Sequence, residues 1–490
     1  MKKSLFYIVL ISTVMLFLSG CSDFLDEKTD GQVFDNVLST QPGLESALTG
    51  AYAGLQTPWS CGFGNGTAIQ LTFGGDDVGA PLSDANGTQL DRYAVTTSNG
   101  SMGGAWTGCY KAIIGSNKVI DHYKTCSGTQ STINVMAGEA YYLRAFCYYW
   151  LVRLHGRVPM VLSSTYNAAD GTVAPSEVAD IYTQIESDLN QAITLLDNTK
   201  RNSEAGRPNK GTAKALLAEV YLSEAGWPLK KDGYYAKAAA EAKEVLDNRA
   251  TYGFDFADSY ATLYKNRTDA DCITSEDEFA ITADLDKNFV VTYGDWCMPA
   301  EEGGWDVVRA EIGFFKNFPA GVRKDATFET TFTSQDGKTS CTWENSKSGH
   351  PYYKKLMIAG PNHYAYYSNI PVHMLRFTQT ALTYAEAKAR SGAPDQLAYD
   401  CLNTIRKRAE LPTYSGLSAS AFADACVQER AWELCGECVR WFDMTRLDMV
   451  QAVVNKRDAS DPAPLHTITT ADYYLPLPAA DILLNPNLSK

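Results

Sequence analysis

Between Ala140 and Leu154 the chain is apolar on nearly every helical face, and this stretch restricts the available folds more than any other. Ala140, Leu143, Cys147, Trp150, Leu151 and Leu154 recur at the spacing of one helix face, and Tyr141, Ala145, Tyr148, Tyr149 and Val152 make a second. A helix apolar almost all round has to be wrapped by other elements. Gly156 and Pro159 supply its stop.

The neighbouring segments are suited to do the wrapping. Pro175-Ser176 opens a helix with the stripe Ile181, Ile185, Leu189, Ile193 and Leu196. Helices are predicted over 211–225 and 235–248, crowded with Ala213, Ala215 and Ala218 in one and Ala236, Ala238, Ala239, Ala240 and Ala242 in the other. Small residues at these positions let antiparallel helices approach closely. A first helix is predicted over 41–56. In the C-terminal part, 373–391, 395–410 (stripe Ala398, Cys401, Leu402, Ile405, Ala409) and 418–446 also read as helices. Together they form successive helical hairpins of roughly 34 to 45 residues, the size of tetratricopeptide and related repeats. The fold class expected is mainly α, a tetratricopeptide-like hairpin scaffold with an irregular loop-rich region carrying short strands.

Two stretches interrupt the helical pattern. Over 58–107, ten of fifty residues are glycine, a density that means loops and would present Trp59, Phe63, Phe73, Asp76, Asp77, Asn86, Asp91 and Tyr93 on turns. Over 250–372, 21 of 123 residues are aromatic, and Gly303-Gly304, Pro319, Gly321, Gly349, Pro351, Gly360-Pro361 and Pro371 break any regular run. The division that follows is a signal segment 1–20, a tether 21–40, an N-terminal helical region 41–249 with the insertion 58–107, an irregular aromatic-rich region 250–372, and a C-terminal helical hairpin with an extended tail, 373–490. Alternating prolines in Leu475-Pro476-Leu477-Pro478 make that tail extended.

The chain opens with Lys2 and Lys3, an apolar stretch from Leu5 to Leu18, and small residues before Cys21. This is the pattern of a secretory signal, and the apolar stretch is short of the ~20 residues a spanning helix needs. Leu18-Ser19-Gly20-Cys21 resembles the bacterial lipobox, in which the cysteine is lipidated and becomes the first mature residue. An acidic leader, Ser22 to Asp30, then reads as a solvated tether. Removing residues 1–20 takes the formal charge from −14 to −16. So acidic a chain lacks the basic footprint of a nucleic-acid binder and the polybasic patch that docks on anionic lipid. A covalent lipid on Cys21 is therefore expected to supply the membrane affinity, where a single acyl chain would anchor weakly. The eleven remaining cysteines do not make a disulfide framework.

No motif for a cofactor or for catalysis is present. Cys435-Gly436-Glu437-Cys438 has no second pair for zinc and no preceding strand for a thioredoxin-like site. The six histidines show no HExxH spacing, and Gly62-Phe63-Gly64-Asn65-Gly66 lacks the phosphate-loop lysine. Asp76-Asp77 offers oxygens to calcium or to sugar hydroxyls, and neighbouring carboxylates in a glycine-rich loop also serve as turn formers. Arg144, Arg440 and Glu433 lie within apolar runs and are read as paired interior charges.

Taken in order along nearly the whole mature chain, several segments resemble the SusD/RagB family of surface glycan-binding lipoproteins of Bacteroidota. They are Cys21-Ser22-Asp23-Phe24-Leu25-Asp26, Ala51-Tyr52-Ala53-Gly54-Leu55, Gly138 to Phe146 with Leu151 to Pro159, and Gly206-Arg207-Pro208-Asn209-Lys210-Gly211-Thr212-Ala213. Tyr384-Ala385-Glu386-Ala387, Asn403-Thr404-Ile405-Arg406, Glu429-Arg430, Arg440-Trp441-Phe442-Asp443, Leu475 to Pro478 and Asn485-Pro486-Asn487-Leu488 continue the series. The chain departs from the family pattern at Cys435, Cys438 and Val439 and in its short ending at Lys490. The resemblance implies a helical scaffold, a sugar site in the irregular region, an outer-membrane and cell-surface location, no catalysis, and a TonB-dependent SusC-like transporter as partner.

Sugar binding asks for exposed aromatics, because a pyranose presents a face of C–H groups to Trp or Tyr while its hydroxyls need polar partners. The loop-borne candidates are Trp59, Tyr293, Trp296, Trp305, Trp343 and Tyr366, with Asp76, Asp77 and Arg309 as polar partners. Tyr293-Gly294-Asp295-Trp296 and Gly303-Gly304-Trp305-Asp306 stand out, each setting a Trp beside glycine and aspartate. Two other readings stay open: a surface glycoside hydrolase, since 57 acids leave room for a catalytic pair about 5 to 10 Å apart, and a helical scaffold that binds protein or glycopeptide.

Overall fold

The computed structural model describes residues 35–59, 68–165, 172–264, 273–282, 293–357 and 370–489. The signal segment, Cys21, most of the tether and Tyr366 lie outside these ranges. The fold is mainly helical. Its scaffold is α1 (Gln41–Trp59), α2 (Ala85–Asp91), α3 (Gly100–His122), α4 (Gln130–His155), α5 (Val178–Leu195), α6 (Lys210–Glu224), α7 (Tyr234–Asp247), α8 (Phe377–Arg390), α9 (Gln396–Arg408), α10 (Ala419–Glu433) and α11 (Arg440–Arg446). No helix among the described residues is long and apolar enough to cross a membrane.

Apart from the short α2, each helix from α1 to α8 packs on the next, and α8 then receives both α9 and α10. The α7–α8 contact joins the two halves of the scaffold although the whole irregular region lies between them in sequence. Close approach of α1 to α3 needs bare backbone: a Cβ at Gly54 would stand 2.6 Å from the Ala112 amide nitrogen, and one at Gly115 2.9 Å from Ala51. Helix starts follow local chemistry. Asn99 caps α3, Asn209 and Thr212 form a capping box on α6, and Asp395 and Ser418 cap α9 and α10. The apolar helix α4 is buried on nearly all sides, and Gly156 ends it at φ +69°.

The strands are short and antiparallel: β1 (Val78–Gly79) pairs with β5 (Arg309–Ala310), β2 (Val158–Pro159) with β3 (Pro175–Ser176), β4 (Asp277–Ile281) with β8 (Val372–Arg376), and β6 (Thr331–Thr333) with β7 (Ser340–Thr342). The β4–β8 pair ties the outgoing and returning ends of the irregular region together. Phe279 of β4 lies 5.0 Å from Tyr142 and 5.3 Å from Phe146, so this junction is seated on α4.

Buried ion pairs hold the C-terminal half to the rest. Arg430 reaches Glu219 of α6 at 3.2 Å and Asp443 at 2.9 Å, and Arg446 meets Glu386 at 2.6 Å. Glu433 takes Arg408 at 2.8 Å and Arg323 at 3.1 Å, and Arg144 pairs with Asp188 at 2.7 Å, so these interior charges are paired. Removing one partner of such a pair strands the other in low dielectric.

Some local expectations are corrected. The first helix runs to Trp59, and the glycine-rich stretch contains α2 and the start of α3. Phe73, Asp77, Asp91 and Tyr93 are buried within it, because tertiary contacts fold that stretch under the scaffold. The helix expected from 373 begins at Phe377, since His373 to Arg376 are drawn into β8. The single helix expected over 418–446 ends at Glu433 and restarts at Arg440, where Gly436 (φ +71°) and Cys438 (φ +63°) turn the backbone out of the helical region.

Candidate functional site

The segment 293–308 folds back on itself through its own backbone. Tyr293–Trp296 makes one helical turn, Cys297 and Met298 drop into the core, and Ala300–Glu302 makes a 3-10 turn that ends in left-handed Gly303 (φ +91°). Gly304 passes so near Met298 that a Cβ would stand 2.2 Å from its carbonyl oxygen. The loop closes where the Trp305 amide donates to the Asp295 carbonyl at 2.9 Å, and those of Val307 and Val308 to the Trp296 carbonyl at 3.0 Å. These bonds set the two tryptophans side by side: the Trp296 and Trp305 rings stack with centroids 6.3 Å apart and planes 21° from parallel. Trp305 is 41% exposed, and Trp296 is half-buried beneath it.

The platform is braced from below. The β5 strand follows directly, with Arg309 buried and its Nη2 donating to the Ala80 carbonyl at 2.9 Å. Tyr352 donates its hydroxyl to Asp306 Oδ1. Glu302 Oε1 accepts from the Thr333 amide at 3.0 Å, which fixes the loop to the β6–β7 hairpin, and Glu301 Oε1 accepts from the Lys347 amide at 2.6 Å. Asp295 is buried, one of its carboxylate oxygens has no hydrogen-bond partner, and burial pushes its pKa up to about 6. The result is a stacked tryptophan pair, with Trp305 41% exposed, held by backbone bonds beside carboxylates. That is the chemistry of a surface for the C–H face of a sugar ring.

The other residues singled out in the sequence separate into different roles. Trp59 is fully buried at the end of α1, with Phe146 at 5.3 Å and Trp150 at 5.2 Å, and so has no face to offer a ligand. Asp76 forms a two-pronged ion pair with Arg440 (2.5 and 3.0 Å). Asp77 is buried, accepts from the Gly436 amide at 2.8 Å, and is pushed up to about 6 by burial. These carboxylates hold α11 and the turn before it, and a guanidinium already takes the charge of Asp76. Trp343 packs edge-on against Phe315 at 5.7 Å and is half-buried in a small core beside the hairpin. Tyr293 opens the helical turn of the platform, and its side chain lies outside the described residues, as does Tyr366. Among the described residues no group of three or more His, Cys, Asp or Glu side chains is arranged to hold a metal ion. Sequence reading paired the two Gly-Trp-Asp loops but missed Tyr352, Glu301 and Glu302 as braces; nothing local marks them, since each acts on residues 31 to 46 positions away in sequence.

A family model described as the SusD family matches residues 80–490. SusD-like protein P2 of Formosa agariphila is 26% identical over an alignment covering 100% of this chain and 99% of that protein. A SusD-like protein of Bacteroides ovatus is 26% identical, covering 89% and 81%. Among solved structures, a SusD superfamily protein from Parabacteroides distasonis matches with a TM-score of 0.79 at 22% identity, over 91% of this chain and 98% of that one. Surface glycan-binding protein A from Bacteroides thetaiotaomicron, in complex with laminarihexaose, matches with a TM-score of 0.74 at 19% identity, over 92% and 98%. At these identities the structural likeness carries the fold.

Proposed function

The chain belongs to the SusD family, and on that premise we propose that it is a non-catalytic glycan-capture lipoprotein of the cell surface. In this reading the lipid on Cys21 holds it at the outer membrane, the Trp296–Trp305 platform grips oligosaccharide, and a SusC-like TonB-dependent transporter receives the cargo. The observation that carries it is the stacked tryptophan pair with Trp305 41% exposed. Among the described residues Trp305 is the one aromatic in the exposed class, and it stands on a loop fixed by its own backbone bonds. The acidic tether and the negative charge of the chain fit attachment by lipid rather than by basic contacts.

A glycan array with the purified protein and Trp305→Ala tests the reading. Binding to at least one neutral oligosaccharide, lost in the variant, supports it. Absence of binding across polysaccharides and oligosaccharides overturns it. Reducing-sugar release that disappears in Asp295→Asn would replace capture by hydrolysis, because a carboxyl raised to about 6 keeps a protonated fraction of about a tenth at pH 7 and can act as a general acid.

A further inference from the structure

Among the described residues, a cavity large enough for a ligand lies apart from the platform. It measures about 260 Å³ and lies between the stretch 71–95, the start of α11 and the tail at 471–476. Three others among the described residues measure about 30, 30 and 20 Å³, close to the ~30 Å³ share of a single water molecule. The large one has room for roughly eight waters, or for one six-membered ring with its substituents.

Its walls bring three aromatic rings together from distant parts of the chain: Tyr93, Trp441 and Tyr474. Tyr93 has a left-handed backbone (φ +59°), and its hydroxyl donates to the Gly74 carbonyl at 2.5 Å, which fixes the ring at the wall. Trp441 presses so closely on Gly74 that a Cβ there would stand 2.6 Å from the indole, and its buried Nε1–H has no hydrogen-bond partner. Tyr474 is half-buried, and Asp472 adds a carboxylate at the half-exposed side. Asp472 already accepts from His466 Nε2 at 2.8 Å, from the Thr469 amide at 2.7 Å and from Thr469 Oγ1 at 3.1 Å. Two carboxylate oxygens have about four acceptor sites, so one remains for a hydroxyl.

We propose that this cavity is a second carbohydrate site, which takes a single pyranose ring between Tyr93, Trp441 and Tyr474. The proposal rests on the reading of the chain as a glycan binder and adds a site to it. Aromatic faces meet the C–H face of the ring, the open side leaves the remaining hydroxyls in water, and Asp472 accepts from one of them. A fully apolar ligand fits less well, because the carboxylate at the rim would lose water without a partner.

The test is saturation-transfer NMR on the full-length protein with the methyl glycosides of glucose, galactose, mannose and xylose at millimolar concentration. Ala471, exposed at the rim, is replaced by tryptophan to plug the cavity without touching the platform. A signal from at least one glycoside that survives in Trp305→Ala and falls at least fivefold in Ala471→Trp supports the second site. An equal signal in Ala471→Trp, or no signal from any of the four, overturns it. Crystals soaked with the responding glycoside are expected to show the ring among the three aromatics, and density elsewhere overturns the assignment. Loss of oligosaccharide binding in Trp305→Ala is a separate readout, so a failed platform with a retained cavity signal removes the first site and leaves the second standing.

Discussion

Trp59 and Trp305 are both tryptophans in stretches that read as loops, yet the first is fully buried against Phe146 and Trp150 while the second holds 41% of its surface in water. Trp59 closes a helix whose apolar face is already committed to α3 and α4, so burial continues along it. Trp305 sits after two glycines on a segment closed by backbone bonds to Asp295, Met298 and Trp296, and those bonds hold the residue at the surface. Burial in the scaffold comes from side-chain periodicity, and exposure on the platform comes from main-chain hydrogen bonds. The carboxylates differ in the same way. In the scaffold burial pushes Asp443 up, but Arg430 and Arg446 outweigh it and hold the carboxyl down at about 2; on the platform Asp295 has burial alone and rises to about 6.

The contrast is sharpened first by Arg430→Ala, which takes the guanidinium from buried Glu219 and leaves Asp443 with Arg446 alone. A loss of about 3–5 kcal/mol in urea unfolding is expected, and a loss under 1 kcal/mol would break the view that buried ion pairs hold the two halves together. Trp59→Ala removes a fully buried ring and is expected to cost about 3–5 kcal/mol with unchanged glycan affinity in calorimetry. An affinity change beyond twofold in that variant would return Trp59 to the site.

Trp305→Ala is expected to do the opposite: a stability change within about 0.5 kcal/mol and glycan binding at least tenfold weaker, about 1.4 kcal/mol. The carboxylates give a pH effect in which the two regions are expected to pull in opposite directions. A depressed Asp443 contributes stability that is complete above its unfolded pKa of about 4 and is lost as pH falls toward 2. A raised Asp295 makes stability fall as pH rises from about 4 to about 6, because the unfolded chain gives up that proton first. Asp295→Asn is expected to remove the second slope and leave the first. Unfolding curves from pH 2 to 7 that keep both slopes in the variant would place the raised group elsewhere.

Much of this architecture is legible from local pattern. The stripe through Ala140 to Leu154 requires a wrapped helix, and α4 is that helix. The alanine-rich segments become α6 and α7, packed on one another. The aromatics between Gly294 and Asp306 were readable as a presented pair because glycine and aspartate flank them. What failed was the extension of loop character from glycine density to burial: Phe73, Asp77, Asp91 and Tyr93 lie in a glycine-rich stretch and are nonetheless interior. Glycine content reports backbone freedom, and burial depends on what the rest of the chain lays over that backbone.

The sequence by itself determined the helical hairpins, the placement of the irregular region between two helical runs, the lipobox pattern at Cys21 and the family resemblance. These depend on residues within a few turns of one another, where periodicity and turn chemistry act directly. Only the tertiary structure decided that α7 packs on α8 across the whole insertion, that Trp296 and Trp305 stack while Trp59 is enclosed, and that Tyr93, Trp441 and Tyr474 share one cavity. Each of those outcomes joins groups far apart in sequence, where no local rule distinguishes a ring that is covered from one left facing water.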